Sequence, residues 1–194
     1  PELRATQAYL TGLEVQYAEA QALMDAGEWQ AALNAFNAIL ASESKYRDVS
    51  QKIKQIEKQI RVEDLIQAAQ EAFDAGNWTL VIESYEEALR LSPEVLDDSI
   101  KQELIPSYVE SIVALLDKDI TTIEEVELAE SYYKSALAMI PQSKAYERDR
   151  EELDNLIVNL LVLKYTQYAK QMLIDEPYSL ESVGLSIKYY DNAY

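Results

Sequence analysis

The chain has 194 residues, 48% of them hydrophobic, and its 35 acidic against 17 basic side chains leave a formal charge of −18. That excess of acid argues against a nucleic-acid partner, whose phosphates Lys and Arg must neutralise, and disfavours an anionic membrane surface. Cys and His are both absent, which excludes disulfide and thiolate chemistry and removes the commonest general base and metal ligand.

A first helix is predicted from Glu2 or Ala5 to Ala26, with Gly12 its one weak point. It stops at Gly27, where glycine takes a left-handed conformation without steric cost. Trp29, Leu33, Phe36 and Leu40 are spaced four, three and four and place a second helix up to about Ala41. Ser44 is read as the cap of a long helix over 45–74, bent near Glu63-Asp64, with Val49, Ile53, Ile56 and Ile60 on one face. Gly76 then repeats the stop, and a helix opened by Trp78 ends at Ser92-Pro93, since proline disfavours helical geometry in the residue before it. A third long helix follows, kinked or split at Pro106, then a link from Asp117 to Thr122. Thr122 and Glu125 form a capping box for the helix that ends at Pro141. A fourth long helix carries Tyr165, Met172 and Leu173, and a last one with Ser179, Leu180, Val183, Tyr190 and Ala193 is cut off at Tyr194. The apolar run Leu156 to Leu163 is broken by Asn159 and falls far short of the roughly 20 residues a membrane span needs.

These elements are copies of one unit. Asp25-Ala26-Gly27-Glu28-Trp29 returns 49 residues on as Asp74-Ala75-Gly76-Asn77-Trp78. A shift of 48 carries Tyr85, Ala88, Leu89 and Pro93 onto Tyr133, Ala136, Leu137 and Pro141, and a further 57 carries Tyr108 onto Tyr165. Units of this length signal helix pairs that bury their apolar faces by stacking. Gly-x-Trp followed by Ala-x-x-x-Phe/Tyr-x-x-Ala and a terminal Pro, best preserved in Gly76, Trp78, Tyr85, Ala88 and Pro93, resembles the tetratricopeptide (TPR) repeat, with elongated first helices.

The resemblance implies an all-α fold, an α-solenoid of about four antiparallel helix hairpins in a right-handed superhelical stack. It forms one repeat domain over 1–194, with units near 2–42, 45–92, 94–141 and 143–194. It further implies a scaffold for protein–protein interaction, binding a peptide or partner helix on the face lined by the first helices. Carried onto this sequence, that face holds Glu14, Tyr17, Gln21, Gln70, Phe73, Thr166 and Lys170. Repeats of this type also resemble those appended to bacterial signalling, regulatory and envelope-associated proteins, so the segment is expected to be soluble, either cytoplasmic or the extracytoplasmic part of an anchored protein. A chain that opens at Pro1 and stops inside a repeat is expected to belong to a longer protein or to pack on another copy.

Catalytic chemistry is thin. Glycines occur only at 12, 27, 76 and 184, too few for a phosphate cradle, and no cofactor or metal is expected. Ser42-Glu43-Ser44-Lys45 fits a Ser-x-x-Lys pattern without its partner motifs, and Asn77-Trp78-Thr79 fits a glycosylation sequon in a turn where Asn77 serves better as a cap. Acids cluster at Asp97-Asp98, Glu124 to Glu130 and Asp149 to Asp154. A carboxylate hydrolase would need two of them converging in one cleft with a raised pKa, and a ligand-sensing module would need a polar pocket. Against the acidic background, Lys45, Arg47, Lys52, Lys54, Lys58 and Arg61 gather six of the 17 bases on one predicted helix. This basic face is expected either to lie in solvent or to meet an acidic surface of the protein or a partner.

Overall fold

The computed structural model describes residues 2–118, 121–141 and 147–175, with Gly184 and Ile187. Seven α-helices and one 3₁₀ turn, Pro93–Val95, make up the ordered elements among them, with no strand. The helices are α1 (Glu2–Asp25), α2 (Trp29–Ser42), α3 (Val49–Asp74), α4 (Trp78–Leu91), α5 (Asp98–Leu116), α6 (Ile123–Met139) and α7 (Glu147–Asp175). The chain is all-α, with helices packed neighbour to neighbour as a helical repeat requires. The closing helix expected after Ser179 lies outside the described residues.

Both glycine stops are realised in the same geometry. Gly27 has φ 76° and Gly76 φ 69°. At the first, Glu28 N–H bonds to Leu23 O at 2.9 Å and Gly27 N–H to Met24 O at 3.1 Å. At the second, Asn77 N–H reaches Ala72 O at 2.8 Å and Gly76 N–H reaches Phe73 O at 3.0 Å. These paired bonds satisfy the last carbonyls of each long helix and turn the chain back. Asn77 then accepts from Leu80 N–H, capping α4 as expected.

The chain divides into two compact units, one holding residues up to Ala68 with Glu86–Val95, the other Ala69–Tyr85 with the residues from Leu96 on. In the first, α1 packs on α2. Leu13 and Ala20 of α1, Ala32, Phe36 and Ile39 of α2, and Val49, Ile53 and Ile56 of α3 form one core. Ala32 and Phe36 are fully buried, while Trp29 is half-buried and packs against the cluster. Its indole N–H must find an acceptor, and it reaches Glu63 at 2.5 Å. A second cluster joins Val62 and Leu65 to Ala88.

The long helix starts at Val49, four residues later than expected. Ser44 does not cap it. Arg47 adopts φ 43°, a strained left-handed conformation for a non-glycine residue, and Asp48 occupies the cap position. From Val49 to Asp74 the helix is unbroken, one long helix as expected, and Lys45 and Arg47 fall outside it.

In the second unit, α5 packs on α6 and α7, and α6 on α7. Pro106 does not split α5, which runs unbroken through it. Proline removes one internal hydrogen bond, and because its side is exposed water can serve the freed carbonyl. Asp97 caps α5 by accepting from Ile100 N–H at 2.9 Å. The Thr122–Glu125 capping box opens α6 as expected.

Two glycines give opposite predictions. An added Cβ meets nothing within 4 Å at either Gly12 or Gly27, but only Gly27 has positive φ. Gly12→Ala, inside α1, should stabilise by up to about 1 kcal/mol, whereas Gly27→Ala should destabilise by about 1–2 kcal/mol. Chemical denaturation reads both, and equal effects would contradict the turn geometry.

Candidate partner-binding groove

The second unit carries an open groove of about 670 Å³ between α5 and α7. Asp98, Lys101, Gln102, Ile105, Pro106, Val109 and Glu110 line one wall, positions three and four apart that fall on one face of a helix. Asp149, Glu152, Leu153 and Leu156 line the other wall by the same spacing, and Met139, Ile140 and Pro141 close one end. The opposite face of α5, with Ile100, Leu104, Tyr108 and Ile112, is buried in the core. Leu156 is 48% exposed, and Pro106 is exposed with it. The groove therefore has an apolar floor and a charged rim.

The walls are fixed by polar ties, three of them made by tyrosine hydroxyls. Tyr85 of α4, with no exposed surface, donates to Glu103 of α5. Tyr133 of α6 donates to Asp154 of α7 at 2.5 Å. Tyr165 of α7, 1% exposed, donates to Glu130 of α6. Arg150 Nη1 donates to Leu137 O at 3.1 Å and Ile140 O at 3.0 Å, satisfying the last carbonyls of α6 and anchoring the closed end of the groove to α7. In the first unit Phe36 stands where Tyr85 does in the second copy and has no hydroxyl. There Tyr17, edge-on to Phe36, makes the equivalent bond to Asp48 at 2.5 Å.

Burial, followed by the bond to Glu103, pushes the Tyr85 hydroxyl well above the ordinary tyrosine range. Burial and then the bond to Asp154 raise Tyr133 to about 12. Tyr17 is raised chiefly by its bond to Asp48, and the same bond holds Asp48 below the usual carboxylate range.

The seven positions transferred from the repeat resemblance lie elsewhere. Glu14 pairs with Arg47 at 3.4 Å, Arg47 in turn lying over the Tyr17 and Tyr46 rings. Gln21 donates to Asp25 at 2.7 Å. Glu14 and Tyr17 thus contact the turn before α3. Phe73 packs edge-on against Trp78, with ring centroids 5.6 Å apart. Gln70 is exposed and acts on the Tyr85 hydroxyl. Thr166 is half-buried and Lys170 exposed on α7. None of the seven lines the α5–α7 groove. Among the basic residues, Lys45, Lys54, Lys58 and Arg61 are exposed and Lys52 is half-buried. Part of that charge is answered inside the first unit, where Arg61 acts on Glu87, and Lys58 on Glu94.

Among the described residues no group of acids is arranged to hold a metal ion, and no helix is long and apolar enough to cross a membrane. No protein-family model, no curated protein and no solved structure matches the chain.

A raised tyrosine pKa means that the unfolded chain releases its proton first, so stability is complete below the unfolded value of about 10 and is lost as pH rises through the folded value. Denaturation midpoints should fall between pH about 10 and about 12. Tyr133→Phe should flatten that fall, and an unchanged profile would contradict the tie to Asp154.

Proposed function

We propose that the chain is a non-enzymatic scaffold for protein–protein interaction, of TPR-like solenoid construction, and that the α5–α7 groove holds a peptide or partner helix. The observation that carries the reading is an open, apolar-floored groove between α5 and α7, the helices that the repeat reading makes first in their units. Half-exposed Leu156 and the partly exposed Ile105 and Val109 leave apolar surface uncovered, the kind of surface an amphipathic helix covers. The charges support a binding role over catalysis. Asp98, Glu110, Asp149 and Glu152 are all exposed, and among the described residues the carboxylates whose pKa moves, Asp48, Glu87, Glu94 and Glu125, move down. A general acid needs the opposite shift. The groove's 670 Å³ also falls in the range of small-ligand sites, which supports a ligand-sensing regulatory module as a second reading.

A display library of amphipathic peptides, panned against the 194-residue chain, separates the readings. Selected peptides should lose about tenfold or more in affinity when Leu156→Asp places a charge on the groove floor. They should be indifferent to Lys170→Glu. Peptides that respond to Lys170→Glu and ignore Leu156→Asp would place the interaction elsewhere.

A further inference from the structure

Resting on the groove as the binding site, we infer that its occupant is a cationic amphipathic segment, with an apolar stripe for the floor and Lys or Arg on its flanks. The rim supplies the argument. Four carboxylates, Asp98, Glu110, Asp149 and Glu152, stand around the floor against a single cation, Lys101. Lys101 is already committed to Asp98 at 3.0 Å. Glu152 has Arg148 at 2.7 Å, but that pair is 86% and 62% exposed and holds little energy against a competitor. Glu110 and Asp149 form no salt bridge with any described residue.

The hydrogen-bonding inventory points the same way. Ionised carboxylates only accept. Pro106 has no N–H, so the Gln102 carbonyl, four residues before it in the same wall, lacks its helical donor. The rim is thus rich in acceptors and poor in donors, and Lys and Arg side chains are donors without acceptors.

Net charge separates the candidate sources. A second copy of this chain would bring another −18, and that repulsion opposes self-association. The field favours a separate partner of opposite sign and would steer it at low salt. Small acidic or neutral amphipathic segments meet the same floor with repulsion or nothing at the rim.

Three labelled helical peptides sharing one apolar face, flanked by Lys, Gln or Glu, provide the test by fluorescence anisotropy on the full chain. The Lys peptide should bind about tenfold tighter than the Gln peptide, the sum of several exposed ion pairs, with the Glu peptide weakest. Its advantage should shrink as salt rises. In the Glu110→Lys/Asp149→Lys variant, both exposed sites whose exchange leaves the core intact, the Lys advantage should disappear. Equal binding by the Lys and Gln peptides would overturn the cationic occupant while leaving the groove. A Lys advantage that survives the double reversal would overturn it too, by assigning the attraction to the whole chain's charge. Failure of all three peptides, with the fold verified by circular dichroism, would overturn the groove reading itself.

Discussion

The second unit depends on a simple constraint: a buried tyrosine ring must give its hydroxyl a partner. Tyr85, Tyr108 and Tyr165 are among the largest fully buried side chains, and a buried hydroxyl left without a partner costs roughly 1–3 kcal/mol. Tyr85 and Tyr165 meet the constraint with a carboxylate on a neighbouring helix, and half-buried Tyr133 adds a third bond of this kind. Each bond sets one helix against another at a defined height, which apolar packing alone does loosely. The ties from α6 to α7, with Arg150 at the helix ends, fix one wall of the groove, while Glu103 ties the other to Tyr85.

Local features of the fold were legible in the sequence because local physics dictates them. A glycine followed two residues later by Trp marks a helix stop, and the four-three-four spacing marks the helix after it; both stops are present with φ 76° and 69°. The Thr122–Glu125 box and the Asn77 cap are likewise decided within a few residues. The α3 helix starts later than Ser44, a good cap by type, would place it; the tertiary bond from Tyr17 to Asp48 holds the residue just before Val49, information that local sequence does not carry. Pro106 suggested a break, but its exposed side lets solvent replace the missing bond, and α5 continues.

The groove was less legible. It depends on which faces of α5 and α7 remain uncovered once their other faces are packed, and periodicity within one helix does not contain that information. Of the positions transferred from the repeat pattern, Tyr17 packs edge-on against Phe36 and Phe73 against Trp78. One signal was present: apolar Ile105 lies seven residues from Asp98 and four from Lys101, and apolar Leu156 lies seven from Asp149 and four from Glu152. Such a mixed face is neither core nor ordinary solvated surface. The two Trp residues are half-buried, with Trp29 bonded to Glu63 and Trp78 against Phe73.

The uncovered faces of α5 and α7 are the proposed binding surface. Backbone-amide NMR of the chain, titrated with the Lys-flanked amphipathic peptide, addresses it residue by residue. Shifts should concentrate in 98–110 and 149–156, with Leu156 and Val109 among the largest. Shifts concentrated on α1 around Glu14 and Tyr17, or spread evenly over the acidic surface, would contradict it.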